Sequence, residues 1–221
     1  MTHVIVVGAS GHAKVVIDAL NLSGVEVVGL LDAKLSGGEY FGCPVLGGDD
    51  ALGPLLNTHR GLRAIVAIGD NALRWRVTGR IVAQFPELHF ATAIHPSALV
   101  SPTASIGPGS YIGAGAVINP ATRVAAHAIV NTRASIDHDC TLAEGASVGP
   151  GATLGGTVTV GTGSHVGLGA SVQQDIIIGA WCMIGAGAAV VANIPDGSLA
   201  LGVPATVRRR VPPREQVARE F

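Results

Sequence analysis

Charge is scarce in this 221-residue chain: Asp, Glu, Lys and Arg make up 13 % of it, and the formal net charge is −1 at pH 7. Such a balance offers no cationic field for capturing nucleic acid. Long apolar runs are also missing. No window of 18 or more apolar residues occurs, and the start "MTHVIVVGAS" has no cationic leader ahead of an apolar stretch, so the expectation is a soluble, cytoplasmic chain with no membrane partner. Only three cysteines are present. Cys43, Cys140 and Cys182 form neither a C-x-x-C pair nor an even framework, which implies no disulfide fold and fits reduced, mostly buried thiols. Glycine, by contrast, is plentiful at 31 residues, so turns must be frequent. The length allows one large or two small domains, each able to bury a core.

A repeat organises the second half. From Ile94 onward every sixth residue is Ile, Val or Leu: Ile94, Val100, Ile106, Ile112, Ile118, Val124, Val130, Ile136, Leu142, Val148, Leu154, Val160, Val166, Val172, Ile178, Ile184 and Val190. The residue four further on is mostly Ala, Ser or Cys, so each unit has one aliphatic and one small inward position. Glycine often follows the aliphatic residue, as in "IGPGSY" and "VGPGAT", which suits a sharp corner. This pattern predicts a parallel β-helix with three short strands per triangular coil. Residues eighteen apart then stack at the interstrand spacing of ~4.8 Å. By that rule Cys140 and Cys182 sit on different sides about two coils apart and cannot bridge.

Before residue 93 the pattern is α/β. "HVIVVG" reads as a buried parallel strand, "KVVIDALNL" as an amphipathic helix, "VEVVGLLD" as a second strand, "RAIVAIGD" as a third and "NALRWRVTGRIVAQF" as a second helix. The expected division is therefore a Rossmann-like domain over 1–92, a β-helix over 93–206 and a charged tail over 207–221. Gly8, Ser10, Gly11 and His12 lie in a turn that opens the first helix, where free amides and the positive helix end suit a diphosphate. The same glycines would equally serve to pack helix on strand, and both readings stay open. Asp32 ends the second strand, where such folds often place a ribose or base contact.

The polar island "SIDHDC" falls inside the β-helix. Register puts Ile136 and Cys140 inward and Asp137, His138 and Asp139 on an outward corner. A lone outward histidine is usually plain surface, but here either flanking carboxylate can accept its ring N–H and raise its basicity; Asp139 is favoured. The stacking rule adds that Gly156 lies one coil from His138 and leaves room for a substrate.

Taken together, "VVGASGHAKVV", "LLDA", "IGDNALR", "NTRASIDHDC" and "IPDGSLALGVPA" resemble the sialic acid O-acetyltransferase and bacillosamine N-acetyltransferase family, over nearly the whole chain. The resemblance implies a left-handed β-helix, a homotrimer with sites between subunits, and acetyl-CoA as co-substrate. It also implies His138 as general base, Asn131 at the substrate, Gly156 donating its amide to the thioester oxygen, and Leu168, Gly185 and Gly187 along the coenzyme A path. In the first domain it assigns the loop Gly8 to His12 and the segment Asp32, Ala33, Lys34 to the nucleotide sugar. The activity so implied is N-acetylation of a nucleotide-linked aminodeoxysugar for glycan precursors. The alternatives are O-acetylation of sialic acid or another sugar, and a non-catalytic nucleotide-binding trimeric scaffold.

Two departures from the family stand out. Ser147 occupies the place where several relatives carry a second histidine, and Thr206, followed by Arg208, Arg209 and Arg210, replaces a common lysine. A metal site is not expected. The zinc carbonic anhydrase built on this scaffold needs two histidines five apart, and neither Arg133 nor Ala143 supplies one beside His138.

Overall fold

The computed structural model describes residues 3–35 and 37–211. It divides into two compact units between Pro96 and Ser97, four residues beyond the boundary expected from the sequence. In the first unit, β1 (His3–Val7), β2 (Glu26–Leu31), β4 (Cys43–Gly47) and β5 (Arg63–Val66) form a parallel sheet, with β3 (Glu39–Tyr40) antiparallel on the edge. The order β3-β4-β2-β1-β5 places β1 next to both β2 and β5. Helices α1 (Gly11–Leu22), α2 (Leu52–Thr58) and α3 (Asn71–Gln84) complete the unit. The run of apolar side chains in β1 is buried from Val4 to Val7, as expected of a parallel strand covered on both faces.

Stacked two-residue strands build the second unit, a left-handed parallel β-helix. One face runs from Leu99–Val100 to Ala189–Val190, another from Ser105–Ile106 to Ile177–Ile178, and the third from Tyr111–Ile112 toward the C-terminus. From Leu99–Val100 to Ser171–Val172 each strand pairs with the strand eighteen residues on, as in Ser135↔Thr153 and Ile136↔Leu154, while Met183–Ile184 pairs sixteen residues on with Leu199–Ala200. The aliphatic column is fully buried from Ile112 to Val190. Val100 and Ile106, in the first coil, are partly buried and packed against that core, whereas Ile94 is exposed.

Glycine does two jobs here, and the sequence expectation merged them. The residue directly after the aliphatic has no left-handed φ; a Cβ on Gly155 would lie 2.7 Å from the backbone nitrogen of Gln174 in the next coil. Close backbone approach is what requires glycine there. The left-handed conformation falls two residues later, at every sixth position from Gly109 to Gly187. Cys140 and Cys182 are free and buried, with their thiols pushed up by burial. The charged tail expected from residue 207 instead starts as a strand: Thr206–Arg210 pairs antiparallel with Ser198–Leu201, and residues 212–221 lie outside the described residues. Among the described residues, no helix is long and apolar enough to cross a membrane.

Candidate functional site

The corner after Ser135–Ile136 presents three polar residues in a turn closed by Asp139, whose φ is +56°. Asp137 Oδ1 accepts the His138 backbone N–H at 2.8 Å and an Asn119 side-chain N–H at 3.1 Å, fixing the start of the turn. The Asp139 carboxylate lies 2.8 Å from His138 Nδ1. Because a carboxylate only accepts, the hydrogen sits on Nδ1, and Nε2 of the neutral ring keeps its lone pair. The histidine side chain is 57 % exposed, so the basic nitrogen is open to a substrate. Its pKa is raised above the ordinary histidine value, first by the hydrogen bond to Asp139, then by the charge of Asp137, with Asp139 and Asp175 adding smaller contributions.

One coil on, Gly156 lies against the ring: a Cβ built there would be 2.7 Å from His138 Cε1 and 2.8 Å from Nε2. Thr157 N–H donates to the His138 carbonyl at 2.9 Å, and Asp175 N–H to the Gly156 carbonyl at 3.0 Å. His138, Gly156 and their neighbours thus form one ladder. Thr157 and Asp175, missed from the sequence, belong to it by the same eighteen-residue count that located Gly156.

Asn131, Leu168, Gly185 and Gly187 are on a different corner of the coil. Their ladder is marked by Gly151 N–H donating to the Thr132 carbonyl at 2.9 Å and Gly187 N–H donating to the Leu168 carbonyl at 2.8 Å. Leu168 is 59 % exposed on that corner, and Asn131 Oδ1 accepts the Thr132 N–H at 2.8 Å. A single chain therefore holds the two groups apart. Ser147, at the place of the second family histidine, is buried with its hydroxyl 2.7 Å from His165 Nδ1.

In the first unit the candidates cluster. Gly8 has φ +100°, and a Cβ there would meet Ile68 Cγ1 at 2.9 Å, so glycine is needed both for conformation and for space. Ser10, at the N-cap of α1, makes no side-chain bond to the first turn, and Gly11 is exposed beside it. Asp32 Oδ2 accepts the Ala9 N–H at 2.8 Å and Oδ1 the Lys34 N–H at 2.9 Å. The carboxylate is thus the brace between the glycine loop and the exposed turn of Ala33 and Lys34. Burial and the nearby Arg74 charge lower the His12 pKa to about 4, so at neutral pH its ring is uncharged and offers hydrogen bonding only. Sequence reasoning gave Arg74 no role. It is fully buried, donating to the Ile68 carbonyl and to Asn71 Oδ1, both at 2.8 Å, and holds the loop after β5 next to His12. Among the described residues no His, Cys, Asp and Glu group could hold a metal ion.

Residues 3–81 match the PglD N-terminal domain family. Comparison with the curated proteins gives no match. Among solved structures, PerB from Caulobacter crescentus, in complex with CoA and GDP-perosamine, is 41 % identical with a TM-score of 0.87 over 95 % of this chain and 98 % of that one. A histidine-to-alanine mutant of the Caulobacter crescentus GDP-perosamine N-acetyltransferase, with the same two ligands, is 40 % identical with a TM-score of 0.89 over the same shares. The acetyltransferase domain of PglB from Neisseria gonorrhoeae, with acetyl coenzyme A, is 36 % identical with a TM-score of 0.84 over 93 % of this chain and 98 % of that one. With its PglD-type first unit and its β-helix of hexapeptide repeats, the chain belongs to the nucleotide-sugar N-acetyltransferases of the hexapeptide-repeat family.

Proposed function

We propose that the protein transfers the acetyl group of acetyl-CoA directly to the amino group of a nucleotide-linked aminodeoxysugar, with His138 as general base. The observation that carries this reading is the His138 geometry: Nδ1 bonded to Asp139 at 2.8 Å, with Nε2 exposed beside Gly156. In the reaction the amine nitrogen attacks the thioester carbonyl, an N–C bond forms, the C–S bond breaks, and Nε2 takes the amine proton. That proton is then available to the departing CoA thiolate. The Gly156 N–H is assigned to the oxygen on which negative charge develops. No cysteine or serine nucleophile is required.

Asn131, Leu168, Gly185 and Gly187 are assigned to acceptor and CoA contacts, which a homotrimer would bring to His138 across a subunit boundary. The loop Gly8 to His12 and the turn Asp32 to Lys34 are assigned to the nucleotide. Location in the cytoplasm follows from the two co-substrates.

Thiol release from acetyl-CoA, measured over a panel of nucleotide-linked 3- and 4-aminosugars that begins with GDP-perosamine, tests the activity. Turnover with free sialic acid alone would replace it by O-acetylation, and silence on every acceptor would favour a binding scaffold. Asp32→Ala removes the acceptor of two backbone N–H groups, so KM for the nucleotide sugar should rise about tenfold with kcat little changed.

A pH profile tests the base. The active form of His138 is deprotonated, so kcat/KM should fall as pH drops through its raised pKa. Asp139→Asn removes the leading cause of the raised value; the acid limb should move to lower pH and the plateau drop roughly 10- to 100-fold as the tautomer loses its support. An unmoved limb would assign that titration to another group.

A further inference from the structure

Left-handed φ recurs at every sixth residue from 109 to 187, and glycine fills half of those fourteen positions. The other seven are Ala121, His127, Arg133, Asp139, Thr157, Asp175 and Trp181. Among the described residues Thr157, at φ +59°, is the only β-branched one with positive φ. Branching at Cβ makes this the least suitable kind of side chain for the conformation. Residues so held concentrate where a site needs them.

Three contacts show what Thr157 does in return. Its N–H donates to the His138 carbonyl at 2.9 Å, and the one hydrogen of its hydroxyl is shared between the Gly156 carbonyl at 2.6 Å and the Asp175 carboxylate. Gly156 is the residue against which the His138 ring lies, and Asp175 is one of three carboxylates, with Asp137 and Asp139, whose charges act on that ring.

We propose that Thr157 is a positioning residue for the His138 base, its hydroxyl fixing the Gly156 peptide under the imidazole and holding the Asp175 carboxylate toward it. This rests on the reading of His138 as base. Thr157 touches no reacting atom. It spends conformational strain at one coil corner to keep the surface beneath the ring in place, whereas glycine would close the corner without strain and without the hydroxyl.

Three variants separate this role from a merely structural one. Thr157→Gly keeps the backbone conformation and deletes the hydroxyl, Thr157→Ser keeps the hydroxyl, and Asp175→Asn deletes the charge. Thr157→Gly should keep Tm within about 3 °C, because relieved strain offsets the lost bonds. Its kcat should fall roughly 10- to 100-fold with KM unchanged. NMR titration of the imidazole in ligand-free protein should show the His138 pKa lowered in both Thr157→Gly and Asp175→Asn, and restored in Thr157→Ser together with kcat. Wild-type kcat and His138 titration in Thr157→Gly, or Thr157→Ser as impaired as Thr157→Gly, would overturn the proposal. Should the wild type turn over no acceptor at all, the base reading fails, while the titration still decides whether Thr157 couples Asp175 to the ring.

Discussion

His138→Ala should lose roughly 10²–10⁴ in kcat, the usual contribution of a positioned general base, and fold as the parent does. The fold is spared because the ring is 57 % exposed and the backbone bond from Thr157 N–H to the His138 carbonyl does not involve the side chain. Turnover suffers because an acceptor amine attacking a thioester becomes positively charged, and the variant lacks the Nε2 lone pair that the Asp139 bond to Nδ1 leaves ready for that proton. Residual activity would measure what positioning alone supplies. His138→Asn, closer in size, should behave like the alanine variant, since an amide cannot accept a proton at this pH. The measurements are steady-state kinetics with acetyl-CoA and the best acceptor, alongside Tm. Near-normal turnover in either variant would remove His138 from the mechanism.

Much of this site is readable without coordinates, because the hexad repeat acts as a ruler. One aliphatic residue per six, without a slip, fixes which side chains point inward, and the eighteen-residue coil then puts Gly156 beside His138 by counting alone. Applied once more, the count finds Thr157 next to Asp139 and Asp175 beyond it, so those two were within reach. Other features were hidden for physical reasons. Left-handed φ is visible in a sequence only where glycine marks it, and seven of the fourteen corners carry a side chain instead. The choice of Asp139 over Asp137 depends on that conformation at Asp139, which turns its carboxylate back to Nδ1 while Asp137 is taken up by the His138 N–H and Asn119.

The first unit was less legible between residues 35 and 60. "SGGEYFGCPVLGGDD" has no clear period of two or 3.6, and so Glu39–Tyr40, Cys43–Gly47 and Leu52–Thr58 went unread. Asp32 shows a different limit. Its position at a strand end suggested a ligand contact, but both oxygens are held by backbone amides, so its first effect is to shape the loop that would meet the ligand. A sequence gives the place of a carboxylate and says little about which donor claims it.

Two neighbouring glycines should respond to the same substitution in opposite ways. Gly156 is outside the left-handed region, so alanine there brings no backbone strain. Its methyl group would, however, lie 2.7 Å from His138 Cε1 and 2.8 Å from Nε2, well inside contact distance. The obstructing atoms end a flexible, exposed side chain, and so the ring gives way rather than the coil. Moving the ring breaks its alignment with Asp139 and fills the space beside Nε2, so Gly156→Ala should keep Tm and lose roughly 100-fold or more in kcat. At Gly155 the added methyl group meets the backbone of Gln174, at 2.7 Å from its nitrogen and 3.1 Å from its Cα. Backbone atoms of a stacked coil have nowhere to go, and overpacking of this kind typically costs about 1–3 kcal/mol. Gly155→Ala should therefore lower Tm by several degrees, on the order of 3 °C per kcal/mol for a chain of this size. Thermal melts and kinetics on the two variants, with the His138 imidazole followed by NMR, distinguish the cases. A fully active Gly156→Ala protein would mean that the ring works from some other position, and the base, the amide donor and Thr157 would all need reassignment together.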